Sequence, residues 1–306
     1  LDSWINRVRK KDARESASAA NQQQGVVVAL TPATCTVELA DGHQVAKIQS
    51  QSVVVGDHVT VGEVPALGLI VVSVEPRRTS LSRPDVQNGN RLQVIVANVD
   101  SIVIVVSVVT PPLHPRLIDR YLVAIQQGGA RPVICVNKID LLQDPDELLQ
   151  LKPYEALGIP VVACSAKAGA SELRAQLKGQ TCAFVGHSGV GKSSLVNALK
   201  PSADLVTGAV SEGYGRGTHT TTASSLHRLE DGTVLIDTPG IRSFGLRSLE
   251  RDEVSSYFPE FAGFTCRFRD CAHLEEPDCG VKAAVETGQL DLTRYDAYVR
   301  LMSESS

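Results

Sequence analysis

Between residues 24 and 76 the apolar positions fall into five short runs, "GVVVAL", "TCTVELA", "HQVAKI", "DHVTV" and "LGLIVVSVE". Turn signals lie among them: Asp41-Gly42, Gly56-Asp57 and Pro65. None of the runs shows a helical period, so each predicts a strand, and five short strands predict a small barrel or sandwich. An OB-type β-barrel fits that count. The stretch that follows, "EPRRTSLSRPD" (75–85), is polar, basic and proline-containing, and predicts a linker.

The pattern changes at about residue 90. Apolar runs such as "SIVIVVSVV", "RPVICVN", "PVVACSA" and "TCAFV" alternate with helix-length segments, among them "PRLIDRYLVAIQQGG", "DPDELLQLKPYEALG" and "SELRAQL". Strands apolar along their whole length are buried on both faces, which predicts a parallel sheet covered by helices on either side. "SSLHRLEDGTVLIDTPG" (224–240) adds a hairpin, with Asp231-Gly232 as a two-residue turn. Beyond residue 245 the chain becomes acidic and helix-like, then gathers three cysteines and a histidine. The expected organisation is multidomain: a mobile N-terminal arm over 1–23, the OB-fold β-barrel over 24–76, an α/β domain over 90–245, and a helical C-terminal module over 246–306.

Composition narrows the classes. A chain of 306 residues exceeds what a single core usually supports, in keeping with several units. With 43% apolar and 21% charged residues the chain is globular rather than disordered. A net charge of −4 supplies no overall field for nucleic acid, so any RNA contact has to come from local basic patches. Its most apolar region, 92–109, is interrupted by Asn98, Asp100 and Ser101 and falls short of the ~20 residues of a membrane span. No membrane partner is expected. Seven unevenly placed cysteines do not make a secreted disulfide framework, which points to the cytoplasm. Cys35, Cys135, Cys164 and Cys182 sit singly in strand-like runs, as small apolar residues would.

The candidate chemistry begins at Gly186-x4-Gly191-Lys192-Ser193, which follows an apolar strand and opens the helix-like "SLVNAL". That is the context a phosphate-binding loop requires. The backbone N–H groups of Gly186, His187, Ser188, Gly189, Val190 and Gly191 would wrap phosphates, Lys192 would reach the β and γ oxygens, and Ser193 would hold Mg²⁺, with Ser194 completing the GTP-binding set. Base choice comes from Asn137-Lys138-Ile139-Asp140 at the end of a strand. The Asp140 carboxylate can accept two hydrogen bonds from guanine's N1–H and exocyclic amine, whereas adenine would oppose it with a lone pair. Ser165-Ala166-Lys167 ends the next strand, where the Ala166 amide would face guanine O6. Asp237-Thr238-Pro239-Gly240 places one carboxylate to hold Mg²⁺ through water and Gly240 to sense the γ-phosphate. Between them, "VTGAVSEGYGRGTHTTTAS" (206–224) reads as a switch that brings a threonine to Mg²⁺, Thr221 or else Thr220. Separately, Cys266-x4-Cys271-x-His273-x5-Cys279 offers three thiolates and an imidazole, a closed tetrahedral set for one structural Zn²⁺. Arg267 and Arg269 lie between the first two ligands as candidates for RNA phosphates, with the acidic "HLEEPD" close behind.

Common GTP-binding domains run phosphate loop, switch threonine, Asp-x-x-Gly, then the two base-reading motifs. Here the base-reading motifs come first, which is the same cycle cut at another point. A sheet whose old termini lie close can be permuted without changing strand neighbours. The central domain is therefore expected to be a circularly permuted α/β P-loop GTPase. The barrel, this order, "NKIDLL", "GHSGVGKSSLVNAL", "GRGTHTTT", "DTPGIRSFGL" and the terminal Cys/His cluster together resemble the RsgA (YjeQ) family of small ribosomal subunit biogenesis GTPases, across nearly all of residues 24–300. One departure is Thr218, which stands where the family commonly has arginine.

The resemblance implies a GTPase that serves late maturation of the small (30S) ribosomal subunit, with the subunit and its rRNA as partners and a monomer as the working form. Ile241 follows Gly240, where Ras-like enzymes carry a water-orienting glutamine. Either another residue orients the water or hydrolysis is slow without a partner; His219 is the nearest polar candidate, and the resemblance points to the same residue. The rival reading is a GTP-dependent switch that grips a protein partner instead of the ribosome.

Overall fold

A computed structural model describes residues 22–49, 51–65, 67–84, 92–200, 224–237 and 250–305. The five expected barrel strands are present as β1 (Gln22–Leu30), β2 (Thr34–Leu39), β3 (Gly42–Lys47), β4 (His58–Val64) and β5 (Gly68–Val74). Strand β1 pairs with β2 along one edge and with β4 along the other, and β3 joins β2 to β5, which closes the ring through β4. The first strand starts at Gln22, inside the expected arm; residues 1–21 lie outside the described residues. Val27, Cys35, Val37, Ala46, Val59, Val61 and Val71 fill the lumen, taken from alternate positions because successive strand residues point to opposite faces.

The expected linker is partly a strand. β6 (Ser80–Pro84) pairs antiparallel with β7 (Leu92–Ala97). Its polar sequence reflects a two-stranded ribbon with one face in solvent, while Leu81 buries on the other beside Val96.

The central domain follows as β8 (Ser101–Val106), α1 (Pro115–Gln127), β9 (Arg131–Val136), a 3₁₀ turn over Pro145–Leu151 running into α2 (Lys152–Ala156), β10 (Val161–Ala163), α3 (Ser171–Leu177), β11 (Thr181–Val185), α4 (Lys192–Leu199), β12 (Ser225–Arg228) and β13 (Val234–Asp237). The strand order is β10-β9-β8-β11-β13-β12, parallel except for β12. Thus β11, which feeds the phosphate loop, is central, and the chain enters the sheet at β8 instead. The β12–β13 hairpin turns through three residues rather than the expected two. Leu229 N–H donates to the Thr233 carbonyl (2.8 Å) and Gly232 N–H to the Leu229 carbonyl (3.1 Å), with Gly232 at φ 82°.

Each face of the sheet has its own core. Ile102, Ile104, Ile134, Val136 and Ile236 pack under α1 through Ile118, Tyr121 and Ile125. Val103, Val105, Val133, Cys135 and Phe184 pack with Leu173 and Leu177 of α3 and Leu195 and Leu199 of α4. Two-sided burial is why these strands read as unbroken apolar runs. Beyond β12 the same sheet continues into the barrel, since β12 pairs with β1 at Ser225 and Ala29. Arg228 reinforces the junction, its Nε lying 3.0 and 3.1 Å from the Glu38 carboxylate oxygens.

The C-terminal module contains α5 (Arg251–Val254), α6 (Gly280–Glu286) and α7 (Leu292–Glu304). Phe258, Phe261, Val281, Tyr298 and Leu301 form its core, which includes Val123 from α1. Arg294 is buried at that contact. It donates to Asp119 on α1 (2.5 Å) and to Glu260 (2.8 Å), and its guanidinium lies 4.6 Å from the Phe258 ring centre. The two acids compensate a charge that would otherwise be costly to bury.

Candidate functional site

Strand β11 ends at Val185 and α4 starts at Lys192, leaving six residues to turn the chain. Three are glycines at positive φ: Gly186 (144°), Gly189 (85°) and Gly191 (93°). Space demands glycine as well as dihedral. A Cβ at Gly186 would lie 2.3 Å from the Val105 carbonyl oxygen, and one at Gly191 would lie 2.3 Å from Asn137 Nδ2. The amides that follow open onto the first turn of α4, where partial positive charge collects. His187, Ser188 and Gly189 are exposed there, as are Ser193 and Ser194. Lys192 Nζ donates to the Gly186 (2.6 Å) and His187 (2.9 Å) carbonyls, which holds the ammonium inside the curve of the loop.

The two motifs expected to read the base converge on this loop from β9 and β10. Asn137 is buried; its Nδ2 donates to the Val190 carbonyl (2.8 Å) and its Oδ1 accepts from the Ala166 amide (3.1 Å). One side chain therefore joins three expected parts of the site. Ala166, expected to face guanine O6, gives its N–H to Asn137 here, so a base carbonyl has to share that donor. Lys138 takes left-handed φ (65°) and reaches over the loop to the Gly189 and Thr110 carbonyls, 2.7 Å from each. Asp140 accepts from Ser165 Oγ (2.6 Å) and lies 3.4 Å from Lys167 Nζ. The Ser165 hydroxyl, and after it Lys167, hold the Asp140 carboxyl below its ordinary value, so it stays an acceptor.

Asp237 ends β13, opposite Ser225 of β12. Ser225 Oγ and His227 Nε2 are 3.0 Å apart on that strand. Burial holds the His227 imidazole below its ordinary value; Lys200 adds to the shift and Asp237 opposes it. His219, Thr220, Thr221, Gly240 and Ile241 lie outside the described residues.

The second site is a cluster in which the sulfurs of Cys266, Cys271 and Cys279 and a ring nitrogen of His273 all lie within 4.8 Å of one another, so it could hold a metal ion. His273 Nδ1 is 3.4 Å from Cys266 Sγ and 3.5 Å from Cys279 Sγ, and the two sulfurs are 3.8 Å apart. Tetrahedral zinc with bonds of about 2.0 Å to nitrogen and 2.3 Å to sulfur requires edges of about 3.5–3.8 Å, so the donor set fits. The ligand loop is built by residues that the motif does not contain. Glu276 accepts from the Ala272 and Leu274 amides, both 2.9 Å, on either side of His273. Tyr295 and Tyr298 donate to the His273 and Ala272 carbonyls, both 2.6 Å. The acidic "HLEEPD" thus shapes the metal loop, and only the carboxylate's position two to four residues from those amides hinted at it.

A family model described as RsgA GTPase matches residues 74–247. The small ribosomal subunit biogenesis GTPase RsgA of Haemophilus influenzae is 41% identical over 317 residues, covering 99% of this chain and 91% of that protein. Its namesake from Pseudomonas putida is 42% identical over 300 residues, 93% of this chain and 86% of that one. Among solved structures, YjeQ from Thermotoga maritima matches with a TM-score of 0.73 at 33% identity, covering 92% of this chain and 98% of that one. YloQ, described as a circularly permuted GTPase, gives 0.69 at 29%, covering 92% and 94%. With the family model spanning more than half of the chain and such relatives along nearly all of it, this chain belongs to the RsgA GTPase family.

Proposed function

We propose that this protein hydrolyses GTP and that its nucleotide state governs binding to the small ribosomal subunit and its rRNA late in subunit maturation. The observation that carries the GTP reading is Asn137, which ties the phosphate loop at Val190 to the base-reading turn at Ala166. Asp140 then selects guanine. The ribosomal role rests on the relatives named small ribosomal subunit biogenesis GTPase. We place the protein in the cytoplasm as a monomer; among the described residues no helix is long and apolar enough to cross a membrane.

Mg²⁺, when bound, neutralises charge on the β- and γ-phosphates. Ser193 at the start of α4 and Thr221 are its proposed ligands, with Asp237 acting through water. Lys192 exchanges the Gly186 and His187 carbonyls for phosphate oxygens. Isoleucine at 241 cannot orient water, so turnover is slow until the subunit positions His219. One Zn²⁺ held by Cys266, Cys271, His273 and Cys279 fixes the C-terminal module.

Two measurements test this reading: multiple-turnover phosphate release with and without small subunits, and co-sedimentation with them under GTP analogue, GDP and no nucleotide across a salt series. Stimulated release and nucleotide-dependent, salt-sensitive binding are expected. Equal sedimentation in all three states would overturn control by the nucleotide, and no sedimentation in any state would overturn the ribosomal role.

A further inference from the structure

Two thiols that the GTPase chemistry does not use stand directly behind the guanine-reading turns. Cys135 on β9 and Cys164 just past β10 are buried on the same face of the sheet, with their sulfurs 3.3 Å apart. In sequence, Cys135 precedes Asn137 by two residues and Cys164 immediately precedes Ser165. Backbone bonds hold the two segments side by side: Cys164 N–H donates to the Val136 carbonyl (2.8 Å), and the Cys164 carbonyl accepts from Ile139 (3.2 Å). We propose that a hydroperoxide converts this pair into a reversible Cys135–Cys164 disulfide, and that the bond switches off guanine-nucleotide binding.

The step balances with the oxidant named. The Cys164 thiolate attacks a peroxide oxygen and the O–O bond breaks, leaving Cys164 sulfenic acid and a molecule of water or alcohol. The Cys135 sulfur then displaces hydroxide from that sulfenic sulfur and loses its own proton, so that an S–S bond and water form. Two thiols are oxidised by two electrons and one peroxide is reduced. The order of attack follows from their contact: hydrogen bonding from Cys135 lowers the Cys164 thiol and raises that of Cys135. Cys164 is also the more exposed of the two, at 6% against zero.

Bond formation draws the sulfurs from 3.3 Å to about 2.05 Å. In a closely packed core that approach moves the backbone at Cys164. The next two residues hold the site: Ser165 Oγ bonds Asp140 and the Ala166 amide bonds Asn137. Displacing them misaligns the guanine acceptor and the link to the phosphate loop together. This inference rests on the guanine site proposed above.

The test uses the full chain with zinc bound. Reduced protein is treated with limited hydrogen peroxide, quenched, and divided between non-reducing peptide mass mapping, titration with fluorescent GDP and zinc analysis. We expect a cross-linked peptide pair containing Cys135 and Cys164, GDP affinity weakened about tenfold or more, and full recovery with dithiothreitol. Cys135→Ala and, separately, Cys164→Ala should keep their affinity under the same treatment, although both retain the three thiols of the metal cluster. Absence of the cross-link in wild type, a cross-link without loss of affinity, or equal loss in both alanine variants overturns the proposal. Reduced wild type that binds no GDP refutes the guanine site instead, while the mass map still decides whether the disulfide forms.

Discussion

Asn137 Nδ2 donates to the carbonyl of Val190, a residue 53 positions further along the chain, at 2.8 Å. In a permuted domain this contact re-joins the proposed base-reading turn to the proposed phosphate loop, which the chain order separates. Asn137→Ala removes both of its bonds and strands the buried Val190 carbonyl. GDP and GTP affinity should each fall by about 2 kcal/mol or more, roughly thirtyfold. Titration with fluorescent nucleotide reads the loss; unchanged affinity would mean that the two halves of the site align without this side chain.

Asp140→Asn should weaken GTP and favour xanthosine triphosphate, because an amide donor then faces the C2 carbonyl that replaces guanine's amine. Losing guanine's paired contacts should cost about 3 kcal/mol or more. Competition between the two nucleotides measures the exchange, and GTP affinity kept intact would remove Asp140 from the site.

Elemental analysis of carefully purified protein should find one zinc per chain. Cys271→Ser should lose it and unfold the tail around His273 while GTP binding survives, since bound metal supplies folding energy locally. Proteolysis of the tail with nucleotide affinity followed in parallel checks both halves. A zinc-free wild type would contradict the assignment.

Small subunits should raise phosphate release by roughly 10³ to 10⁵ if they complete the hydrolytic site. His219→Ala should abolish that stimulation and nearly keep GTP affinity. Stimulation equal to wild type would return His219 to an ordinary surface histidine.

At the far end of the sheet, Arg174 Nε bonds Asp231 in the β12–β13 turn at 2.7 Å. With the Thr233 donors it lowers the Asp231 pKa from 3.8 to about 2. A carboxylate depressed in the folded state stabilises above its unfolded pKa, and that stability disappears as pH falls through the folded value. The window therefore runs from about pH 4 down to about pH 2, and is worth about 1 kcal/mol after solvent screening. Denaturant unfolding of Asp231→Asn against wild type should show a stability difference at pH 6 that closes by pH 2. A difference independent of pH would assign the effect to packing.

The barrel strands and the nucleotide motifs were legible because their signals are local: short apolar runs between turns, and glycines at fixed offsets from a lysine. What escaped was set by distant partners. Arg294 is buried against Asp119, 175 positions away, a partner that nothing local to the C-terminal segment announces. Ser80–Pro84 reads as linker because a solvent-facing ribbon needs few apolar residues. Ala166 follows the strand that the sequence led to expect, but its engagement by Asn137 depends on how two loops meet in space. The switch threonines and His219 remain readings of the sequence.

The pairing of β1 with β12 also settles a problem of exposed edges. An antiparallel strand at the rim of a sheet presents unpaired N–H and C=O groups to any other extended chain. Here Ser225, the first residue of the rim strand β12, is covered by Ala29 of β1, whose own sheet closes into a ring and so ends without a rim of its own. At the opposite side the sheet stops at β10, only three residues long. Besides any part in recognition, the barrel therefore shields the start of this border from strand-to-strand association, and a chain trimmed back to residue 75 would leave β12 without even that cover.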